Sequence, residues 1–302
     1  MRILKTLKDY GAQTIGTSDI TLDSQTIKSL GDVISWQIYF DYTTTGSTET
    51  YDADSGGWKG TNFTKLLKKI QIKDVNNTDL FVSEQADIWH MAYLLSLVNV
   101  DDYISNRGLN QEPTTETTNV TNDTGHIIVP QPIAVSDLPA TFEVTLGVLN
   151  DYFNAVGDGA ITINALSVIV RYVPPRAESI TLRIKTFNVQ AFSSDTDIAY
   201  LIPNKIKIHV LAYIPADITE SSAPSEFDET RVDRLSFRRG SNEEIENIRR
   251  AQIDNYINSR YDGTRPTDLT VIPTDAFNKS DSSFWEFDVT AQVAPRVYYV
   301  YS

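Results

Sequence analysis

The sequence contains no cysteine, three histidines and two methionines in 302 residues. The absence of cysteine excludes disulfides and thiolate-bound zinc. No apolar run approaches the roughly 20 residues that a membrane-spanning helix needs. Basic residues are outnumbered, 26 against 40 acidic ones, and the net charge of −14 disfavours contact with a phosphate backbone. We therefore expect no direct nucleic-acid binding.

Residues that carry enzyme chemistry are also sparse. His90, His126 and His209 form no His-x-His or His-x-Asp/Glu pair, so a metal centre of the cupin type is not predicted. Glu143 and Glu286 occupy equivalent strands of two sequence repeats, and such paired carboxylates act in glycosidases only when they are roughly 5–10 Å apart. We expect no enzyme activity and no catalytic residues.

Neighbouring carboxylates are the remaining candidates for a bound ion. Hard cations prefer oxygen ligands, but none of the spacings matches an EF-hand loop. The neighbouring carboxylates form three pairs, Asp52/Asp54, Asp101/Asp102 and Asp195/Asp197. We expect no cofactor, and the alternative is a calcium ion bound at Asp195/Asp197.

The sequence is rich in short segments with apolar residues at alternate positions. The clearest is residues 34–42, ISWQIYFDY, in which all five even positions are apolar or aromatic. This period of two is typical of half-buried strands. Parallel βαβ architecture would need helices between most strands, and the sequence does not supply them.

One segment occurs twice. Residues 68–96 and residues 233–259 each predict a strand, a polar turn and a helix, with Ser83 as the N-cap of the first helix and Ser241 or Asn242 as that of the second. Matched apolar residues lie 165 positions apart: Ile70 and Leu235, Ile72 and Phe237, Ile88 and Ile253.

The duplication extends over most of the chain. Further matched strands are residues 34–42 with 206–214, 141–146 with 284–289, and 166–172 with 296–302. Pro174-Pro175 follows the first copy, and a Pro-Pro pair cannot continue a central strand. The predicted domains are an N-terminal arm at 1–14, a first β domain at 15–174 with a Thr/Asn-rich loop at 111–125, and a second β domain at 175–302.

The N-terminus is locally basic in an acidic chain. Arg2, Lys5 and Lys8 have only Asp9 opposing them. Helical spacing would make this segment a small amphipathic anchor for a membrane surface. The alternative is an extended arm or a first strand.

Further interface candidates come from the repeats and from one tryptophan. Basic residues occupy the same place in both copies, as Lys68 and Lys69 in the first and as Arg234 and Arg238 in the second. They either form the polar face of exposed strands or contact acidic neighbours or anionic lipid. Trp58, in a glycine-rich stretch, is a candidate interface anchor.

Two tandem β domains with period-2 strands, and a helix after an early strand in each, predict a mainly β fold. Tandem eight-stranded jelly-roll barrels fit this pattern. The chain resembles the double jelly-roll major capsid proteins of tailless icosahedral viruses with internal membranes, the lineage of corticoviruses, tectiviruses and adenoviruses. The resemblance rests on the tandem domains, the repeated strand and helix, the loop at 111–125 and the basic N-terminus.

The resemblance implies a structural protein of the virion that is assembled in the host cytoplasm. It further implies a homotrimer with a pseudo-hexagonal outline, which would contact neighbouring trimers, penton and minor capsid proteins. The N-terminus would face an internal lipid membrane. Two other functions stay open at this stage: a carbohydrate- or receptor-binding β-sandwich protein, and an enzyme built on two jelly rolls.

Overall fold

The computed structural model describes residues 3–45, 67–84, 88–98, 121–148, 160–188, 198–202, 207–214, 232–239, 242–249, 252, 270–278, 283–289 and 296–302. The chain divides into two compact units, Met1–Ile184 and Lys185–Ser302.

The first unit contains two antiparallel sheets. Its strands are β1 (Ile3–Asp9), β2 (Gln13–Ile15), β3 (Ile20–Thr21), β4 (Gln25–Ile27), β5 (Asp32–Thr45), β6 (Lys69–Lys73), β7 (Asp79–Glu84), β8 (Thr121–Val129), β9 (Ala140–Leu146) and β10 (Ala160–Val173). The first sheet has the order β1-β10-β5-β8, and β2 also pairs with β10. The second has the order β3-β9-β6-β7, and β4 also pairs with β9.

The core of the first unit lies between these two sheets. Trp36 on β5 is buried and meets Phe81 on β7 and Phe142 on β9 edge to face, with ring centroids 5.0 and 5.3 Å apart. Such pairs contribute about 0.5–1.5 kcal/mol each beyond their area burial. The alternating burial of β9 and β10 confirms that one face of each strand supplies this core.

A single α-helix is present among the described residues, α1 (Ile88–Val98) between β7 and β8. Ile88, Met91 and Leu95 are fully buried, as the predicted apolar stripe requires. No helix in the described part of the chain is long and apolar enough to span a bilayer. A short 3-10 helix, Val135–Asp137, precedes β9.

The second unit repeats the strand order of the first. Its strands are β11 (Arg183–Asn188), β12 (Ile198–Ile202), β13 (Lys207–Ile214), β14 (Val232–Arg239), β15 (Asn242–Arg249), β16 (Thr270–Asn278), β17 (Ser283–Val289) and β18 (Arg296–Tyr301). Its sheets run β11-β18-β13-β16 and β12-β17-β14-β15. The predicted strands of the repeat are confirmed at β5 and β13, β9 and β17, and β10 and β18.

The first part of the helix predicted for the second repeat is wrong, and residues 250–259 of that helix lie outside the described residues apart from Gln252. Residues 242–249 form β15, which pairs with β14 so that Ile245 lies opposite Phe237 and Ile248 opposite Leu235. The two isoleucines are three positions apart, which is helical spacing, but the register shifts between the two pairs. An extra residue in a β-bulge thus produces a spacing that looks helical in sequence.

The N-cap assigned to Ser83 is also wrong. Ser83 lies in β7, opposite Ile70 on β6, and is buried. The prediction missed this strand in both copies, since β7 and β15 follow β6 and β14 at equivalent positions. Each repeat thus begins with a hairpin, and in the first unit α1 follows it.

Two predictions near the ends of the first unit can be compared with the structure. Of the two forms predicted for the N-terminus, the first strand is confirmed and the helical anchor is wrong, because Ile3–Asp9 is a strand paired with β10. Residues 121–125 of the predicted Thr/Asn-rich loop belong to β8, which pairs with β5. Threonine is a good strand former, and β8 is an edge strand on which polar side chains are tolerated.

Candidate interaction surfaces

The first unit has two ends that differ in construction. Three register pairs show which strand ends lie together: Ile27 with Ala140, Lys73 with Thr141, and Asp32 with Val173. One end of the unit therefore contains the turns at 28–31 and 74–78, the connection at 130–139 and the last residue of β10. We call it the linker end, and we call residues 174–183, which leave it, the linker segment. The opposite end, from which residues 46–68 and 147–159 depart, is called the loop end.

Exposed apolar side chains concentrate at the linker end. Of the large apolar residues that are exposed in the described part of the chain, five lie there: Ile3 (42%), Leu4 (70%), Leu30 (45%), Val75 (56%) and Ile180 (49%). Tyr39, within β5, is the other. We call these five residues the apolar rim. Exposed apolar groups gathered in one place are typical of an interaction surface.

Two turns hold the rim residues Leu30 and Val75 in place. Gly31, next to Leu30, has a φ of 151°, and a Cβ there would stand 2.2 Å from the carbonyl oxygen of Val173. Only glycine fits that approach. In the β6–β7 turn, Asp74 Oδ1 accepts bonds from the backbone N–H groups of Asn76 and Thr78, both at 2.8 Å, which fixes Val75 at the tip.

A buried carboxylate holds the linker segment beside these turns. Asp32, 4% exposed, accepts hydrogen bonds from the backbone N–H of Val135 (2.9 Å), the backbone N–H of Arg176 (2.8 Å) and the hydroxyl of Ser179. Burial raises the pKa of Asp32, but these bonds and the nearby Arg176 charge outweigh it and hold the pKa below its usual value. Asp32 is therefore ionised at neutral pH.

Two further carboxylates bind the end of the same segment. The Thr181 hydroxyl donates to Asp137 and accepts from the backbone N–H of Ala134 at 2.9 Å. Arg183 lies 3.5 Å from Asp74 and 3.7 Å from Asp137. The side chain of Asp74 is only 2% exposed, so the pair with Arg183 is largely removed from water.

A buried amide joins the linker segment to the core. Gln131 accepts a bond from the Trp36 indole N–H at 3.0 Å and donates to the carbonyl oxygens of Leu80 (3.0 Å) and Leu182 (2.8 Å). Gln131 is fully buried, so each bond satisfies a group that has no access to water. Sequence reasoning missed Asp32, Asp137 and Gln131, and the only local signal was a charged residue heading the apolar strand β5.

The predicted basic residues of the N-terminus lie on an edge strand. Lys5 is exposed opposite Val170, and Lys8 is half-buried opposite Val168. Their register shifts at a bulge between Thr6 and Lys8, a feature that protects sheet edges from unwanted pairing. Arg2 and Trp58 lie outside the described residues, as does the Asp195/Asp197 pair that was the calcium alternative.

Lys68 and Lys69 lie at the loop end, away from Lys5. Lys68 Nζ is 2.8 Å from Asp19 Oδ2, and both side chains are about two-fifths exposed, at 43% and 39%. Lys69 pairs in register with Glu84 and Thr145. The structure therefore does not bring the predicted basic residues of the first unit into one cluster.

Arg234 and Arg238 occupy two register positions on β14. Arg234 lies opposite Asp288 and Arg249, and Arg238 lies opposite Glu243. Three of the four predicted basic residues of the repeats, Lys69 and both arginines, thus have an acidic residue of their own chain as a register partner. This local pairing accounts for part of the charge pattern that the sequence shows.

The remaining sequence candidates occupy separate places. Trp36 is in the core, His90 is buried in α1, and His209 Nε2 lies 3.0 Å from Ser302 Oγ. Glu143 and Glu286 are on the equivalent strands β9 and β17. Within the described ranges, no group of three or more His, Cys, Asp or Glu side chains is arranged to hold a metal ion.

Solved structures match the chain over its whole length. The major capsid protein of Sulfolobus turreted icosahedral virus has a TM-score of 0.69 at 12% identity, over 100% of this chain and 96% of that chain. The PBCV-1 virus capsid structure gives 0.66 at 11% identity, over 99% and 92%. The major capsid protein of bacteriophage PM2 gives 0.58 at 11% identity, over 100% and 97%.

The chain is a double jelly roll. In this fold two jelly rolls, each of two packed antiparallel sheets, follow one another in one chain. No family model and no curated protein matches the sequence. The double jelly roll is therefore recognised by shape, at identities too low for any functional residue to be transferred.

The double jelly roll accounts for the repeated strand order. Both units alternate strands between their two sheets in the same sequence, and the hairpins β6–β7 and β14–β15 occupy the same place in each. The short turns of the first jelly roll gather at the linker end, and the long connections leave the loop end. This separates two surfaces of different chemistry, an apolar rim and a loop end that carries Lys68 and Asp19.

Proposed function

We propose that this chain is a structural protein, the major capsid subunit of an icosahedral virus, and that it resides in the virion shell. The supporting observation is the double jelly-roll fold itself, which matches nearly the full length of three capsid proteins. The protein works by self-association, and its surfaces rather than a catalytic pocket perform its function.

The duplicated topology supports a trimeric capsomer. Three chains with two similar jelly rolls each would present six similar edges, an arrangement that suits a hexagonal lattice with closed threefold symmetry. Neighbouring trimers, penton and minor capsid proteins are the proposed partners. Because the chain carries a net charge of −14, self-association has to overcome repulsion, and we expect it to strengthen with ionic strength.

Oligomeric state tests this proposal. Purified protein should form a trimer of about 100 kDa, three times 33.9 kDa, by native mass spectrometry, with hexagonal outlines in negative-stain images. A chain that remains monomeric at micromolar concentration in both low and high salt would overturn the capsomer proposal.

The basic residues at the loop end are proposed contacts between capsomers. Lys68 and Lys69 would meet acidic surfaces of neighbouring trimers, and Arg234 and Arg238 are the equivalent residues of the second jelly roll. The variant Lys68→Glu/Lys69→Glu should impair particle assembly and leave the trimer folded. Normal particle yield from this variant at ordinary ionic strength would exclude the contact.

The linker end is proposed to face an internal membrane. The apolar rim and the basic strand β1 supply exposed apolar and cationic groups together, the combination that favours binding at a lipid interface. In vesicle flotation, the triple variant Leu30→Ser/Val75→Ser/Ile180→Ser should lose binding to anionic vesicles. Tyr39→Ser, which removes an exposed apolar residue elsewhere, is the matched control and should bind normally.

Vesicle composition separates the possible outcomes of that experiment. Binding of the native chain to anionic vesicles only, and its loss in the triple variant, supports a membrane-facing linker end. If the native chain ignores vesicles of every composition, the apolar rim contacts protein instead and the membrane proposal fails. The capsid role is tested separately by the trimer.

A further inference from the structure

The linker segment is attached to the first unit in an unusual way. Three side chains of the segment reach a carboxylate: Ser179 reaches Asp32, Thr181 reaches Asp137, and Arg183 reaches Asp74 and Asp137. The backbone N–H of Arg176 also donates to Asp32. Acceptors of this kind change their chemistry on protonation, and amide or carbonyl acceptors do not.

We propose that the linker segment is an acid-released element, which detaches from the first jelly roll when Asp32 becomes protonated. The proposal concerns a conformational property of the fold and goes beyond the capsid role. Detachment would free the connection that leads from β10 into the second unit. The fold on either side of that connection would stay intact.

Protonation of Asp32 weakens the carboxylate that accepts most of the hydrogen bonds holding the linker segment. Oδ2 accepts both the Arg176 N–H and the Ser179 hydroxyl, and Oδ1 accepts the Val135 N–H. An ionised carboxylate can accept all three bonds, but a neutral carboxyl has to spend one oxygen on its own proton. Because Asp32 is buried, a donor that loses this partner within the fold finds no water there, whereas the largely exposed segment regains hydrogen bonds to water when it detaches.

Asp137 and its neighbours determine how far the release extends. Thr181 is held by Asp137, and Arg183 lies near both Asp74 and Asp137, so these contacts do not involve Asp32. The bonds from Leu182 N to the Pro132 carbonyl and from Gln131 to the Leu182 carbonyl do not depend on ionisation. Residues 174–180 should therefore detach first, and Leu182 should stay bound.

The pH window follows from the groups that surround Asp32. Arg176 faces it from the linker segment, and Asp137 with Arg183 and Asp74 lies beyond it on the adjoining turns. Tyr172, on β10, bonds to the backbone of Lys28 in the neighbouring turn. With the pKa of Asp32 held below 3.8, attachment is fully present above that pH and is lost as pH falls through the lowered value.

Hydrogen–deuterium exchange on the full chain tests the release directly. After correction for intrinsic rates, peptides covering residues 174–180 should lose about tenfold or more of their protection as pH is lowered stepwise from 7 to below 3.8. Peptides from β5 and β10 should keep theirs. Loss of protection in all of these peptides at the same pH would mean global acid unfolding and would overturn the proposal.

A neutral side chain at position 32 should reproduce the acid state at pH 7. Asp32→Asn should raise the rate of tryptic cleavage after Arg176, an exposed residue, by about fivefold or more. Asp79→Asn is the matched control, because Asp79 bonds Gln71 and not the linker segment. If Asp32→Asn folds and is cleaved at the native rate, or if its exchange profile keeps the native pH dependence, the proposal is wrong.

Discussion

The two ends of the first jelly roll differ in how they connect the strands. At the linker end, turns of a few residues are fixed by buried hydrogen bonds, and their apolar tips are left exposed. At the loop end, long connections leave the sheets, and the side-chain contact at Lys68 and Asp19 is a solvent-exposed ion pair. Rigidity and exposed apolar surface therefore coincide at one end, which is what a docking surface with a fixed shape requires.

If the two ends differ in this way, the largest loss of stability should come from removing the buried amide of Gln131 at the linker end. Gln131→Ala leaves the Trp36 N–H and the carbonyls of Leu80 and Leu182 without partners, so the free energy of unfolding should fall by at least about 3 kcal/mol. Gln71→Ala removes a half-buried glutamine whose bond to Asp79 is exposed, and it should cost less than about 0.5 kcal/mol. Denaturant titration measures both, and similar losses would remove the distinction between buried and exposed contacts.

Two glycines give the next largest difference. Gly31→Ala at the linker end places a Cβ against the Val173 carbonyl in a conformation that alanine rarely adopts, at a cost of about 2 kcal/mol or more. Gly16, at the loop end, has nothing within 4 Å of an added Cβ, and Gly16→Ala should be near neutral. Thermal melts of the two variants check this order, and an equal shift would contradict it.

A smaller change in stability is expected at alkaline pH. Burial, aided by the Asp23 charge, raises the pKa of Tyr10 to about 12. Between about pH 10 and pH 12 the unfolded chain releases this proton and the folded chain keeps it, so stability falls as pH rises. Because Tyr10 is half-exposed, the loss should stay below about 1 kcal/mol, and Tyr10→Phe should reduce it. A pH dependence identical in native and variant chains would assign the effect to other tyrosines whose pKa burial also raises, such as Tyr172.

The smallest effect is expected at the ion pair of the loop end. A double-mutant cycle with Lys68→Ala and Asp19→Ala should give a coupling energy below about 1 kcal/mol, because both side chains are well exposed to solvent. Salt should reduce the coupling further. A coupling above about 2 kcal/mol, retained in high salt, would show that the loop end is as tightly fixed as the linker end.

Much of the fold is readable from the sequence because strands have a fixed side-chain period. Residues 34–42 alternate strictly and form β5, and the matched segments form β9, β10, β17 and β18. The tandem arrangement followed from these matches alone. The prediction failed where the period was locally disturbed, since the bulge opposite Phe237 gave β15 a helical spacing.

The candidate surfaces were much less predictable. The basic residues stand out in an acidic sequence, but Lys69, Arg234 and Arg238 have acidic register partners in their own chain. The linker cluster left almost no signal, because Asp32 and its partner Ser179 are 147 positions apart. No local pattern reports a contact made over such a distance; it emerges only once the sheets have formed.

The pairing of β1 with β10 has a consequence for synthesis of the protein. Strand β1 leaves the ribosome long before β10 and has to wait for that strand before it finds its partner. Until then, Ile3 and Leu4 lie on an unpaired strand edge in a growing polypeptide. Folding of this unit is therefore dominated by contacts between distant residues, which close slowly. Nascent chains that end before β10 should depend on chaperones more than the completed unit does.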